Sequence, residues 1–380
     1  MLWESLYWGS LAGVVYLFAG YPALLLVLGR LRPFRAAKAP WSESVTVIAV
    51  GHNEAHRWPA KIDSILATRG SDQIAQILIG SDGSTDDTVA RLSAHPDPRV
   101  RVVHFDQRRG KPATLNDVIP LAASEVVILT DARQRLDSEA IAKLTENFAD
   151  PRVGVVSGEL VFETSSTDST AARGIGLYWV YEKLIRKAES RFRSVPGATG
   201  ALYALRKSLF RPIPPNTLLD DVVIPMQAVE QGTRCLFEPG AIAWDRPSQE
   251  AGQEAVRKRR TIAGAAQLVL NQPRWLLPWK NPIWWEFCSH KIGRLLSPVL
   301  LVLVLVANAM LLDRWMYRGL FAAQLAFYGL AGVGYLLQRA GMRSRLCGAC
   351  LMFVSLNTTT VAALWDAVRG RFQATWQKTT

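Results

Sequence analysis

The 380-residue chain is 49% hydrophobic and carries a formal net charge of +12. Its apolar residues gather at the two ends, while the middle, from about Val45 to Gln272, is long enough to bury one large core. The basic residues flank the apolar segments and recur at Arg257–Arg260. With no zinc-finger or RNP-type pattern present, that charge points to lipid and phosphorylated ligands and away from nucleic acid. Four cysteines form no disulfide framework, and Cys347 and Cys350, although spaced CxxC, lie in an apolar stretch with no second ligand pair. They read as small buried side chains.

Leu6 to Leu28 is almost free of charge and long enough to cross a bilayer as a helix. Arg30, Arg32, Arg35 and Lys38 follow it, which sets the N-terminus outside and the next domain in the cytoplasm. The middle alternates short β-branched runs (45–50, 76–79, 100–104 and 126–130) with helical stretches (58–68, 86–93 and 112–122). That alternation predicts an α/β domain with a mainly parallel sheet covered on both faces. Active residues in such sheets collect beyond the carboxyl ends of the strands. After Gln272, the tryptophan-rich segment 273–294 predicts an amphipathic helix lying in the membrane interface. Leu295–Leu312 and Leu320–Leu337 read as spans. Leu346–Trp365 is interrupted by Asn357 and Thr358–Thr360, and a fourth crossing would put the basic tail (Arg369, Arg371, Lys378) outside, so a re-entrant or interfacial placement is expected there. The divisions are thus 1–30, 40–272, 273–294 and 295–380.

Polar groups follow each predicted strand. The first ends in His52-Asn53-Glu54, the second in Asp82-Gly83-Ser84-Thr85-Asp86, the third leads to Gly110-Lys111, and the fourth ends in Asp131-Ala132-Arg133. Any one of these is ordinary turn or cap chemistry. Four in succession at strand ends call for another explanation. Further on lie Gly197-Ala198-Thr199-Gly200, where glycine permits close approach of backbone to a ligand, and the acidic pair Asp220-Asp221.

This ordered set resembles the inverting glycosyltransferases of family 2, membrane-integrated synthase-like branch, over about Val45 to Leu270. The resemblance implies a GT-A fold, a Rossmann-like mixed α/β sheet domain flanked by transmembrane helices. It implies that Asn53, Glu54, Asp82, Lys111, Asp131 and Arg257 face a nucleotide-sugar donor, with a UDP-sugar favoured, and that Asp131 meets the diphosphate and a divalent metal, Mg²⁺ or Mn²⁺. Arg133 replaces the second aspartate of the family's D-x-D motif. Gly197, Gly200 and Asp220 would lie on the acceptor side. Asp221 would be the general base and Arg260 the cation near the leaving phosphate. Processive members carry Q-x-x-R-W where this chain has Arg257, Arg260 and Thr261, a departure that argues against processive polymer synthesis.

The resemblance therefore implies a multi-pass enzyme of the inner or plasma membrane with a cytoplasmic catalytic domain. It would pass a sugar to a saccharide or lipid-linked acceptor at the bilayer surface, in cell-envelope or extracellular polysaccharide synthesis. Alternatives are single-sugar transfer to a polyprenyl-linked acceptor, or an inactive scaffold of the same fold.

Overall fold

The computed structural model describes residues 1–163, 170–246, 251–342 and 344–369, with side chains described for all of these except 170–178, 251–258 and 368. The chain begins with α1 (Leu2–Val15), a π-turn (Tyr16–Gly20) and α2 (Tyr21–Leu31), which together form one long apolar helix. Pro22 cannot donate to the Phe18 carbonyl one turn before it. The π-turn absorbs the misfit, and the Tyr181 hydroxyl donates to that carbonyl instead at 2.8 Å. A strap then runs along the domain, with Phe34 N donating to Arg191 O at 2.7 Å and Ala37 N to Asp150 Oδ2 at 3.1 Å.

The domain that follows alternates β1 (Val45–Gly51), α3 (Trp58–Leu66), β2 (Ile74–Asp82), α4 (Thr88–Ser93), β3 (Val100–Phe105), α5 (Lys111–Val118) and β4 (Val126–Asp131). These match the runs predicted from sequence. Next come β5 (Arg135–Leu136), α6 (Ala140–Thr145), β6 (Val153–Phe162), α7 (Thr170–Phe192), β7 (Leu202–Arg206), α8 (Asp220–Glu230), β8 (Arg234–Asp245) and α9 (Ala251–Asn271). The strands form one sheet in the order β3-β2-β1-β4-β7-β6-β8-β5. Its first half is parallel, as expected; β7 then runs antiparallel to both β4 and β6, so the sheet is mixed. Alternation along β1 sends Val45, Val47 and Ala49 to one core with Trp58, Ile62 and Ile65 of α3. Ile48 faces a second core with Leu115, Val118 and the apolar face of α8. Burying each such aliphatic side chain contributes roughly 1.5–3 kcal/mol.

The segment after α9 differs from the expected in-plane helix. Pro273–Leu276 is a single 3-10 turn, and Pro278 and Pro282 keep the chain irregular. Helix then starts at Trp284 and runs through α10 (Trp284–Glu286), a π-turn (Phe287–Ile292) and α11 (Gly293–Ala309) without a break. Residues 284–294 therefore belong to the apolar helix and not to a separate interfacial one. Pro298 strands the Arg294 carbonyl, which accepts from Ser297 Oγ at 2.9 Å. Two more apolar helices follow, α12 (Trp315–Arg339) and α13 (Arg345–Val368). Among the described residues, four helices are long and apolar enough to cross a membrane.

Contacts set their relative levels. α1 and α11 run antiparallel, Gly13 lying against Leu300 and Leu17 against Gly293. Tyr7, Val304, Ala307 and Tyr317 cluster at the end far from the sheet, while Gly29 meets Ala188 and Arg191 at the near end. α12 starts at the far end and descends roughly 18 Å by Phe327, whose ring packs on Phe353, which in turn packs on Phe18. α13 starts beyond that, with Cys347 against Gly334. It is unbroken because its polar groups are satisfied locally. Thr359 and Thr360 donate to carbonyls one turn back, and Asn357 Oδ1 accepts from Ser297 Oγ at 2.6 Å. Its final turns return to the domain: Leu364 and Ala367 pack with Ile262, Ala265, Ile292 and Leu295, and Asp366 pairs with Arg259. The final turns of α13 thus sit at the level of the sheet domain. A buried network also joins the spans to α7. His290 lies 2.7 Å from both Glu189 and Glu182, Tyr21 donates to Glu189 at 2.5 Å, and Arg294 donates to Glu182 at 2.8 Å.

Candidate active site

The carboxyl ends of β2 and β4 and the start of α5 come together. Asp82, buried at the end of β2, accepts from the backbone N–H of Arg109 at 2.7 Å and of Gly110 at 2.9 Å. It thereby fixes the loop that delivers Lys111 into the first turn of α5. Gly83 makes this possible: its φ is +63°, and a Cβ there would lie 2.4 Å from Arg108 N. Lys111 Nζ reaches Asp131 Oδ1 at 2.7 Å and Asp220 Oδ2 at 3.2 Å. Burial alone would push the Lys111 ammonium down, but Asp131 and Asp220 together hold it above its ordinary value.

Asp220 and Asp221 open α8, where helical N–H groups favour negative charge. Asp221 Oδ2 accepts from Gly200 N at 3.0 Å. Burial, followed by the neighbouring charge of Asp220, raises the Asp221 carboxyl to about 6. Gly200 lines the same space. A Cβ on it would stand 3.4 Å from Asp221 Oδ2 and 3.7 Å from both Asp131 Oδ2 and Lys111 Nζ. Gly197 adopts φ +125° two residues after Val195, and the N–H of the next residue, Ala198, donates to Asp221 O at 2.7 Å. The structure thus brings Lys111, Asp131, Gly197, Gly200, Asp220 and Asp221 together beyond the carboxyl end of β4.

Other expected donor-side residues have protein partners. Asn53, at φ +56°, accepts from Thr85 N at 2.7 Å and so clasps the loop after β2. Glu54 receives both of its hydrogen bonds from Arg57 at 2.8 Å. Arg133 is drawn off to Asp245, which also accepts from Gln134 Nε2 at 3.0 Å. Arg260 lies on α9 one turn before Gly264, and Gly264 packs directly on Leu219, the residue preceding the acidic pair. The side chain of Arg257 lies outside the described residues.

Sequence reading passed over three supports. Lys61 is buried and donates to Thr130 Oγ1 at 2.7 Å and to Gln134 O at 2.8 Å, holding the turn that carries Asp131. Burial pushes its amine down to about 7. Ser157 Oγ accepts from Thr199 N at 3.0 Å and from Arg186 at 2.7 Å, bracing the Gly197–Gly200 loop. His52 Nδ1 lies 2.7 Å from Asp82 O. A lysine mid-helix and a serine mid-strand carry no local sign of these long-range partners.

Among the described residues, no group of three His, Cys, Asp or Glu side chains is arranged to hold a metal ion. Asp131 offers one carboxylate, and the Lys111 ammonium stands on it as a cation would. Mg²⁺ is commonly held by one or two carboxylates with phosphate and water completing the shell, so Asp131 fits a metal that arrives together with a diphosphate.

Residues 46–213 match the model of the family described as glycosyl transferase family 2. An N-acetylglucosaminyltransferase of Azorhizobium caulinodans is 28% identical over 182 residues, which are 44% of this chain and 46% of that protein. The succinoglycan biosynthesis protein ExoO of Rhizobium meliloti is 22% identical over 220 residues, 52% and 59% of the two chains. The chain thus spans about half the length of the curated relatives it matches. Among solved structures, the mannosyltransferase PcManGT of Pyrobaculum calidifontis, in complex with GDP-Man and Mn²⁺, superposes with a TM-score of 0.73 at 21% identity, covering 96% of this chain and 99% of that one. That likeness extends the shared GT-A-type fold through the apolar helices as well as the sheet domain. The match to the glycosyl transferase family 2 model thus runs from β1 to the segment leading into the Asp220–Asp221 pair.

Proposed function

We propose that this chain is a membrane-bound inverting glycosyltransferase that moves a sugar from a nucleoside-diphosphate donor to an acceptor at the membrane surface. The observation that carries the reading is the convergence of Asp131, Lys111 and Gly200, which lie in the segment matching the family 2 model, with the Asp220–Asp221 pair that follows it. Asp221 takes the proton of the acceptor hydroxyl as its oxygen attacks the anomeric carbon, and a carboxyl near 6 is well placed to do so at neutral pH. Attack opposite the departing diphosphate inverts the anomeric centre. Lys111 and Arg260 meet the charge that develops on the leaving group. Asp131 would hold Mg²⁺ or Mn²⁺, which when bound supplies further positive charge to the diphosphate.

Helix packing favours an acceptor at the bilayer surface. Leu219 touches α9 at Gly264, and Ala265 and Ala266 of α9 pack on Leu295 of α11. One helix therefore separates the acidic pair from a membrane-length helix. The relatives' names favour polysaccharide building with an N-acetylglucosamine donor. The mannosyltransferase neighbour keeps GDP-sugars in the test panel. For topology, the basic run after Leu28 supports a cytoplasmic catalytic domain. The return of the final turns of α13 to α9 and α11, with Phe353 packed on Phe18, supports three crossings, with α13 lying obliquely on the catalytic side.

Full-length protein in detergent, given UDP- and GDP-sugars in turn with and without membrane lipid extract, tests the reading. One donor should release nucleoside diphosphate and yield a product of inverted anomeric configuration by NMR. Retained configuration would rule out the single displacement.

A further inference from the structure

Lys111 stands where a cation held by Asp131 would stand. Its Nζ is 2.7 Å from Asp131 Oδ1 and 3.2 Å from Asp220 Oδ2, with 11% of the side chain exposed. The space beside Gly200 is bordered by Asp221 Oδ2, Asp131 Oδ2 and this same Nζ, each within 3.7 Å of a Cβ placed there. Three carboxylates and one ammonium thus face one another beside Gly200. Left alone, the carboxylates would repel one another, and the lysine offsets that. Its two attachments differ. It donates a hydrogen bond to Asp131 at 2.7 Å, whereas Asp220 Oδ2 accepts no hydrogen bond among the described residues and attracts it by charge alone. A flexible four-carbon stem can turn the amine off Asp131 while keeping it near Asp220.

We propose that Lys111 is an exchangeable internal counter-ion. It keeps divalent metal off Asp131 while the site is empty, and it moves onto the diphosphate when the donor enters, releasing Asp131 to the metal. The proposal rests on the donor-binding reading above. It accounts for a D-x-D segment that offers Asp131 alone, Arg133 being tied to Asp245 where a second aspartate would be expected. Metal and nucleoside diphosphate then strengthen each other's binding by the same factor, as linkage requires.

Mn²⁺ binding, followed by EPR on the full-length purified protein with and without UDP or GDP, tests it. Wild-type protein should bind Mn²⁺ weakly alone and about tenfold or more tightly with the matching nucleotide. Lys111→Gln removes a positive charge next to the metal position, so it should raise nucleotide-free Mn²⁺ affinity about tenfold and shrink the nucleotide effect. If Lys111→Gln lowers the yield of folded protein, Lys111→Met fills the same buried path without charge and makes the same comparison. Nucleotide-free Mn²⁺ affinity equal to or below wild type in the neutral variant overturns the counter-ion role, and so does a wild-type affinity indifferent to nucleotide. The metal-only comparison needs no nucleotide. If neither UDP nor GDP binds under any metal condition, the donor reading itself has failed, and that failure is told apart from a failure of the lysine exchange.

Discussion

Replacing Asp220 with Asn should move the acid limb of the pH–rate profile to lower pH. The carboxyl of Asp221 lies near 6 because of burial first and the charge of Asp220 second, with the Lys111 ammonium opposing both. A base works only when deprotonated, so kcat/KM for the donor, which reports the free enzyme, falls as pH drops through about 6 in wild type. Asn keeps the size of Asp220 and removes its charge. Burial remains, so part of the upward displacement stays, and the limb should move down by roughly 0.5–1 on the pH scale. At pH 5 a base at 6 is about 9% ionised and one near 5.3 about 33%, so activity relative to the plateau should rise about three- to fourfold in the variant. The assay is nucleoside diphosphate release between pH 4.5 and 8 with the donor found by panel screening. An unmoved limb, or one displaced upward, would refute the idea that Asp220 sets the basicity of Asp221.

Gly200→Ala should fold with wild-type stability to within about 1 kcal/mol, because its Cβ meets only ordinary contacts. It should nonetheless lose most transfer activity, since the methyl group enters the space between Asp131 and Asp221; full activity with an intact melting curve would mean that space is not used. Gly83→Ala should lower both stability and nucleotide binding, because a Cβ at 2.4 Å from Arg108 N forces the loop anchored on Asp82 to move; calorimetry and thermal melts read both effects. Tyr181→Phe leaves the Phe18 carbonyl without its donor and should cost about 1–3 kcal/mol of stability in detergent, read as a lowered midpoint of thermal unfolding. A C-terminal reporter should face the same compartment as the catalytic domain; a signal from the opposite side would make α13 a full crossing.

The parallel half of the sheet was legible because its strands are short β-branched runs, each closed by glycine or polar residues, and each followed by a helix. The antiparallel half was not. β6 holds Ser157 and Gly158 mid-strand and β8 holds Pro239 and Gly240, features that read locally as turns but here mark register shifts between the two strands. Asp131, Lys111 and the Asp220–Asp221 pair could be singled out because charge at strand and helix ends is visible one segment at a time. Their partnerships were not visible, since Lys111 meets Asp220 across more than a hundred residues. Arg133, which replaces the second aspartate of the D-x-D pattern, is held by Asp245 at the end of an unanticipated strand. The tryptophans of 273–294 suggested an in-plane helix. Composition alone did not show that the prolines stop short of Trp284, from which point the helix continues straight into the apolar segment.

Asp221→Asn tests the central claim most directly. Transfer should fall by about a hundredfold or more, while binding of UDP or GDP with Mn²⁺, measured by calorimetry on the same preparation, stays within about threefold of wild type, because Asp221 acts on the acceptor and not on the nucleotide. Undiminished transfer by folded Asp221→Asn protein would contradict the account.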